Sequence, residues 1–222
     1  MTREDPAPVP RHEPRWPAAA AILFVLALLV MMPARIRILP GWYVCTVTLT
    51  FVLPMLLSDL PATRRWFEPV ERVTTVLCAG VVMLATLMSL RHVVIAILNH
   101  SSGMTGLQLL SSSVGAWATN VIAFSLVYWQ TDRGGPALRA KEAGARPDWV
   151  FPAESAPPAL VKPFWRPVFI DYLFLGFSTA TAFSSTDALP LTTRAKLLMM
   201  LESAVSLTTI LVVASRAINI LG

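Results

Sequence analysis

Six apolar segments, each separated from the next by a polar or proline-bearing link, organise the chain. They run over about Pro17–Ala34, Gly41–Leu57, Val70–Leu98, Leu107–Gln130, Val168–Ser185 and Leu191–Leu221. Apolar runs of roughly 18 residues or more are the pattern of bilayer-crossing helices. The pattern therefore predicts an all-α integral membrane protein of about five to six hydrophobic helices, the fifth being short and rich in Ser and Thr. Residues 1–16 are Pro-rich and mixed in charge, which predicts a disordered tail. Residues 17–130 read as a four-helix transmembrane region and residues 131–167 as a Pro-rich loop. Residues 168–222 read as a short embedded segment followed by the last helix. No small-x-small cleavage site follows the first apolar run, so it reads as a membrane helix rather than a signal peptide.

Composition strengthens this picture. The 222-residue chain is 55% hydrophobic and 14% charged, with a mean hydropathy of +0.61. The net charge of +5 does not point to nucleic acid, because the basic residues lie in the links between apolar runs. There they report orientation and lipid headgroups. Lys and Arg gather in the N-terminal tail, in the link holding Arg64, Arg65 and Arg72, and in segment 131–167, against Arg35 and Arg37 on the other side. That bias predicts a multi-pass plasma-membrane protein with a cytoplasmic N-terminus. Cys45 and Cys78 both lie in apolar runs, which argues for packing rather than a disulfide framework or a metal cluster.

The stretch Phe177–Thr192, FSTATAFSSTDALPLT, carries a resemblance. Phe177, Thr179, Thr181, Asp187 and Pro190 fall in register with the F-x-T-x-T-T-V-G-Y-G-D-I-x-P run of bacterial potassium channels. Leu201 and Glu202 then match a Leu-Glu step in the inner helix of that family. The C-terminal quarter thus resembles a potassium-channel pore module. The resemblance implies a pore helix from Asp171, an inner helix, a homotetramer around an axis, and a monovalent ion as the passing species. The chain also resembles uncharacterised bacterial polytopic membrane proteins through WATNVIAFSLVYWQTDRGGP and PDWVFP. The filter itself departs from the channel pattern: Ala182, Phe183, Ser184, Ser185 and Thr186 stand where the family has T-V-G-Y-G. A filter built from backbone carbonyls needs angles that glycine permits and β-branched residues resist. The potassium-selective filter is therefore absent.

Thr179, Thr181, Phe183, Ser184, Ser185, Thr186 and Asp187 are the expected pore-lining residues, with Phe183 as a hydrophobic constriction. The alternative reading packs the same hydroxyls between helices. Glu202 and Arg91 are the expected intramembrane charges. Glu202 either handles a cation or a proton, or holds helices together through Arg91 or nearby hydroxyls; Arg91 and His92 either snorkel or gate. Asn120 and Thr119 read as interhelical hydrogen-bonding groups, and Asp171 as a helix cap. No phosphate loop, zinc spacing or Gly-x-Ser-x-Gly elbow occurs, so neither an enzyme nor a cofactor is expected. Two functions follow: an ion-channel-like pore that does not select potassium, or a non-conducting scaffold that binds partners, with segment 131–167 as its docking element.

Overall fold

The computed structural model describes residues 13–31, scattered positions between 46 and 95 that include 52–57, and then 106–141, 146–163, 165–181 and 188–221. Its elements are α1 (Trp16–Met31), α2 (Leu53–Leu57), α3 (Gly106–Thr131), a 3-10 turn (Asp132–Gly134), α4 (Pro136–Lys141), β1 (Trp149–Val150), α5 (Pro152–Ser155), α6 (Phe169–Thr181), β2 (Leu189–Pro190) and α7 (Thr193–Leu221).

The described residues are mostly helical, but the membrane expectation is corrected. Among the described residues, no helix is long and apolar enough to cross a membrane. α1 has 16 residues and α6 has 13, below the roughly 20 that a hydrocarbon core about 30 Å thick requires. α3 and α7 are longer, but their side chains are described only from Ser113 and up to Leu211. Over those stretches polar groups dilute the apolar ones: Thr119, Asn120, Ser125 and Gln130 in α3, and Arg194, Lys196, Glu202 and Ser206 in α7. The integral-membrane fold class, the transmembrane helices and the multi-pass plasma-membrane location are overturned on that finding. The expected second and third helices are described only in part: α2 lies at the end of the second, and the described positions between 70 and 95 are helical.

α3 is the centre of the fold. Every residue from Thr119 to Gln130 is buried, because α1, α6 and α7 pack around it; its polar side chains therefore need partners inside the fold. α1 offers Ala18, Ala19, Ile22, Val25 and Leu26 to this core, a stripe at helical spacing whose alanines allow close approach. α6 offers Phe169, Tyr172, Leu175, Gly176, Thr179 and Ala180. α7 is different: its buried face holds Ala195, Glu202, Val205, Ser206 and Thr209, while Leu197, Met200, Leu207 and Leu211 are exposed.

Within the segment expected as a Pro-rich loop, the described residues form short elements joined by turns. Thr131 ends α3, and the turn that follows takes positive φ at Arg133 (53°), Gly134 (79°) and Gly135 (96°). Left-handed backbone favours glycine, and a Cβ on Gly135 would stand 3.0 Å from the Gln130 carbonyl oxygen. The chain thereby reverses into α4. β1 then pairs antiparallel with β2, with Trp149 opposite Pro190 and Val150 opposite Leu189. This short ribbon ties the segment to the start of α7. Thr192 caps that start, its Oγ1 accepting the Ala195 N–H at 3.2 Å.

Candidate functional site

Two polar clusters are buried along α3. The first joins the end of α3 to the ribbon. Asp132 is fully buried. Its Oδ1 accepts the backbone N–H of Asp148 at 2.7 Å and that of Trp149 at 3.4 Å. Its Oδ2 accepts the Tyr172 hydroxyl at 2.5 Å. Arg139 donates through Nη1 to the carbonyls of Trp129 (2.7 Å) and Asp132 (2.9 Å), and through Nη2 to Glu13 Oε2 (3.1 Å). Its guanidinium lies 5.1 Å from the Tyr172 ring centroid, a cation–π contact. Trp129 Nε1 donates to the other oxygen of Glu13 at 2.5 Å, so the end of the expected disordered tail is tied to the core. Asp148 accepts the Thr192 hydroxyl at 2.6 Å and pairs with Arg194. Burial raises the Tyr172 phenol well above its ordinary value, with Arg139 acting in the opposite direction, so it stays a donor.

The second cluster lies deeper, where α3, α6 and α7 meet. Glu202 is fully buried. Its Oε2 accepts the Tyr128 hydroxyl at 2.5 Å. Asn120 Nδ2 donates to Ser206 Oγ at 2.9 Å and to the Glu202 carbonyl at 3.4 Å. Ser125 and Ser203 close the cluster by donating to the carbonyls of Val121 (2.7 Å) and Thr179 (3.2 Å). Burial pushes the Glu202 carboxyl well above the usual carboxylate range, and the Tyr128 hydrogen bond offsets this only in part. Burial also raises Tyr128, with the neighbouring Glu202 charge adding to it. Two oxygens here have no hydrogen-bond partner: Glu202 Oε1 and Asn120 Oδ1. Gly176 lets α6 come this close. A Cβ there would collide with Ser125 Oγ and stand 3.1 Å from the Val121 carbonyl and 3.3 Å from Glu202 Oε1.

The expected site residues separate. Thr179 and Thr181 lie on α6, but their hydroxyls donate to their own helix, Thr179 to the Leu175 carbonyl at 2.8 Å and Thr181 to those of Phe177 and Ser178 at 3.1 Å. Phe183, Ser184, Ser185, Thr186 and Asp187 lie outside the described residues, as does His92. Arg91 is helical and exposed, and the hydrogen-bond partner of Glu202 is Tyr128. Asp171 caps α6 from its first turn, Oδ2 accepting the Val168 N–H at 2.7 Å. Burial raises its carboxyl, although two backbone N–H groups act the other way.

Tyr128, Asp132, Arg139, Asp148 and Tyr172 were not singled out by their sequence. A signal for three of them was present. Tyr128 and Asp132 stand in WATNVIAFSLVYWQTDRGGP and Asp148 in PDWVFP, and these two strings meet in space at Asp132. Tyr128 and Asp132 are also one turn apart, hence on one helix face.

The arrangement can hold a proton on Glu202 and lock helices together. Among the described residues, no group of three His, Cys, Asp or Glu side chains is placed to hold a metal ion. No family model, curated protein or solved structure matches this chain.

Proposed function

We propose that the protein is a helical scaffold that assembles with copies of itself through the outer face of α7. The observation that carries this reading is the heptad spacing of that face. Leu197, Ala204 and Leu211 recur every seven residues, with Met200 and Leu207 between them. All five are exposed, Met200 to 67% and Leu207 to 54%. The same spacing continues in the sequence through Ala214, Ile218 and Leu221. Repeats at positions a and d over several heptads form a self-complementary seam that buries itself against another such helix. Leu201 and Ile210, also exposed, widen the seam beyond what one partner helix covers. That width favours a bundle of more than two copies, and a homotetramer is the arrangement the pore-module resemblance implies.

The polarity of α7 supports the same reading. It buries Glu202, Ser206 and Thr209 while it exposes Leu197, Met200, Leu207 and Leu211, and a contiguous exposed apolar face marks an interaction site. Light scattering of the purified protein at several concentrations tests it. The expected result is a mass near four copies, falling to one for Leu207→Glu while helical circular dichroism is unchanged. A monomeric wild-type protein overturns the proposal. So does a seam that is occupied by lipid vesicles rather than by another chain.

A further inference from the structure

A separate cavity of about 250 Å³ opens between α5, the segment before α6, and the outer side of α6. Phe151, Trp165 and Phe174 form its walls, and Asp171 and Ser178 supply its polar groups. Asp171, Phe174 and Ser178 are three and four residues apart on α6, so they share one helix face. The Phe151 and Trp165 rings pack against each other at 6.1 Å and 58° on one side of the cavity. Edge-to-face contact with Tyr172, at 5.2 Å and 84°, fixes the Phe151 ring against the core. The Asp171 carboxylate accepts backbone N–H groups only, and no cationic side chain among the described residues pairs with it.

We infer that this cavity binds a small methylated ammonium ion, of the choline or tetramethylammonium kind. An unpaired carboxylate beside three aromatic faces attracts a cation, since ring faces carry negative charge. A primary ammonium is strongly hydrated, and a cavity walled mainly by aromatic rings replaces that hydration poorly. A methylated ammonium has no such requirement and presents apolar surface to the rings. The volume suits a single headgroup.

Titration calorimetry with choline and with 3,3-dimethylbutanol, its neutral isostere, tests the inference. Choline is expected to bind at least roughly tenfold more tightly than the isostere, the size of a desolvated cation–π and charge contact. Asp171→Asn keeps a group able to cap the Val168 N–H and removes the charge. It is expected to abolish that preference while leaving binding of the isostere unchanged. Trp165→Leu is expected to weaken choline on its own. Equal binding of the two compounds, an unchanged preference in Asp171→Asn, or no binding of choline at millimolar concentration overturns the inference. Competition by phosphatidylcholine vesicles against free choline then distinguishes a lipid headgroup from a free compound as the source, and either supports the site.

Discussion

The two buried clusters on α3 lie within about a turn of each other and differ in how completely they are satisfied. At the Asp132 end, both carboxylate oxygens are engaged, Glu13 is held by Trp129 and Arg139, and only guanidinium Nε atoms lack a partner. At the Glu202 end, one carboxyl oxygen and one amide oxygen are without partners. In a low dielectric a satisfied polar network fixes one arrangement, whereas a partly satisfied one leaves free energy unrecovered. The first cluster is a lock and the second a reservoir. Trp149 belongs to both: its N–H approaches Asp132, and its ring lies 4.9 Å from that of Tyr128.

Breaking the lock is the severest test of this comparison. Asp132→Ala strands the Tyr172 hydroxyl and the Asp148 N–H in the interior and releases the ribbon from α3. Removing one member of a buried charged network costs about 3–5 kcal/mol. Urea denaturation is expected to show a loss in that range, with near-UV circular dichroism of the tryptophans reduced before unfolding. A loss below about 1 kcal/mol, the worth of one ordinary hydrogen bond, would show that Asp132 locks nothing.

A methyl group added at Gly176 probes the junction of α6 with the second cluster. The new Cβ meets Ser125 Oγ, which can rotate, and the Val121 backbone, which cannot. α6 must then shift away from α3 and α7. Overpacking of this kind costs about 1–3 kcal/mol, so Gly176→Ala is expected to cost less than Asp132→Ala. A variant as stable as the wild type would show that the three helices have slack at this point, and the tight-contact account of the junction would fail.

The helices that build the core were legible from periodicity. α3, α6 and α7 begin and end within a few residues of the apolar runs, because burial of an apolar face decides helix position. The bilayer reading was not supported, and α7 shows why. Apolar content alone does not say which side of a helix faces a partner, and α7 buries Glu202, Ser206 and Thr209 while it exposes Leu197, Met200, Leu207 and Leu211. Segment 131–167 was legible only in outline, for a different reason. Its prolines and glycines look like a loop, but its structure comes from single long-range contacts such as Asp132 to Asp148, which no local pattern encodes. Glu202 was visible as a lone acid in an apolar run, whereas its partner Tyr128 lies 74 residues away.

The smallest effect expected is the most specific to the reservoir. Glu202 has a folded-state carboxyl raised above its unfolded value by burial. Below the unfolded value both states hold the proton, and the group does not influence stability. As pH rises past it, the unfolded chain gives up the proton while the folded chain keeps it. The folded state then binds more protons, so stability declines with pH, by at most about 1.4 kcal/mol per pH unit. The decline ends once pH passes the folded value. Glu202→Gln cannot titrate and can still accept the Tyr128 hydroxyl. The midpoint of urea unfolding, measured from pH 5 to 8, is expected to fall with pH in the wild type and to be flatter in Glu202→Gln. Parallel profiles would mean that Glu202 is already ionised in the folded state. A buried anion would then need a compensating cation, and the contrast between lock and reservoir would collapse.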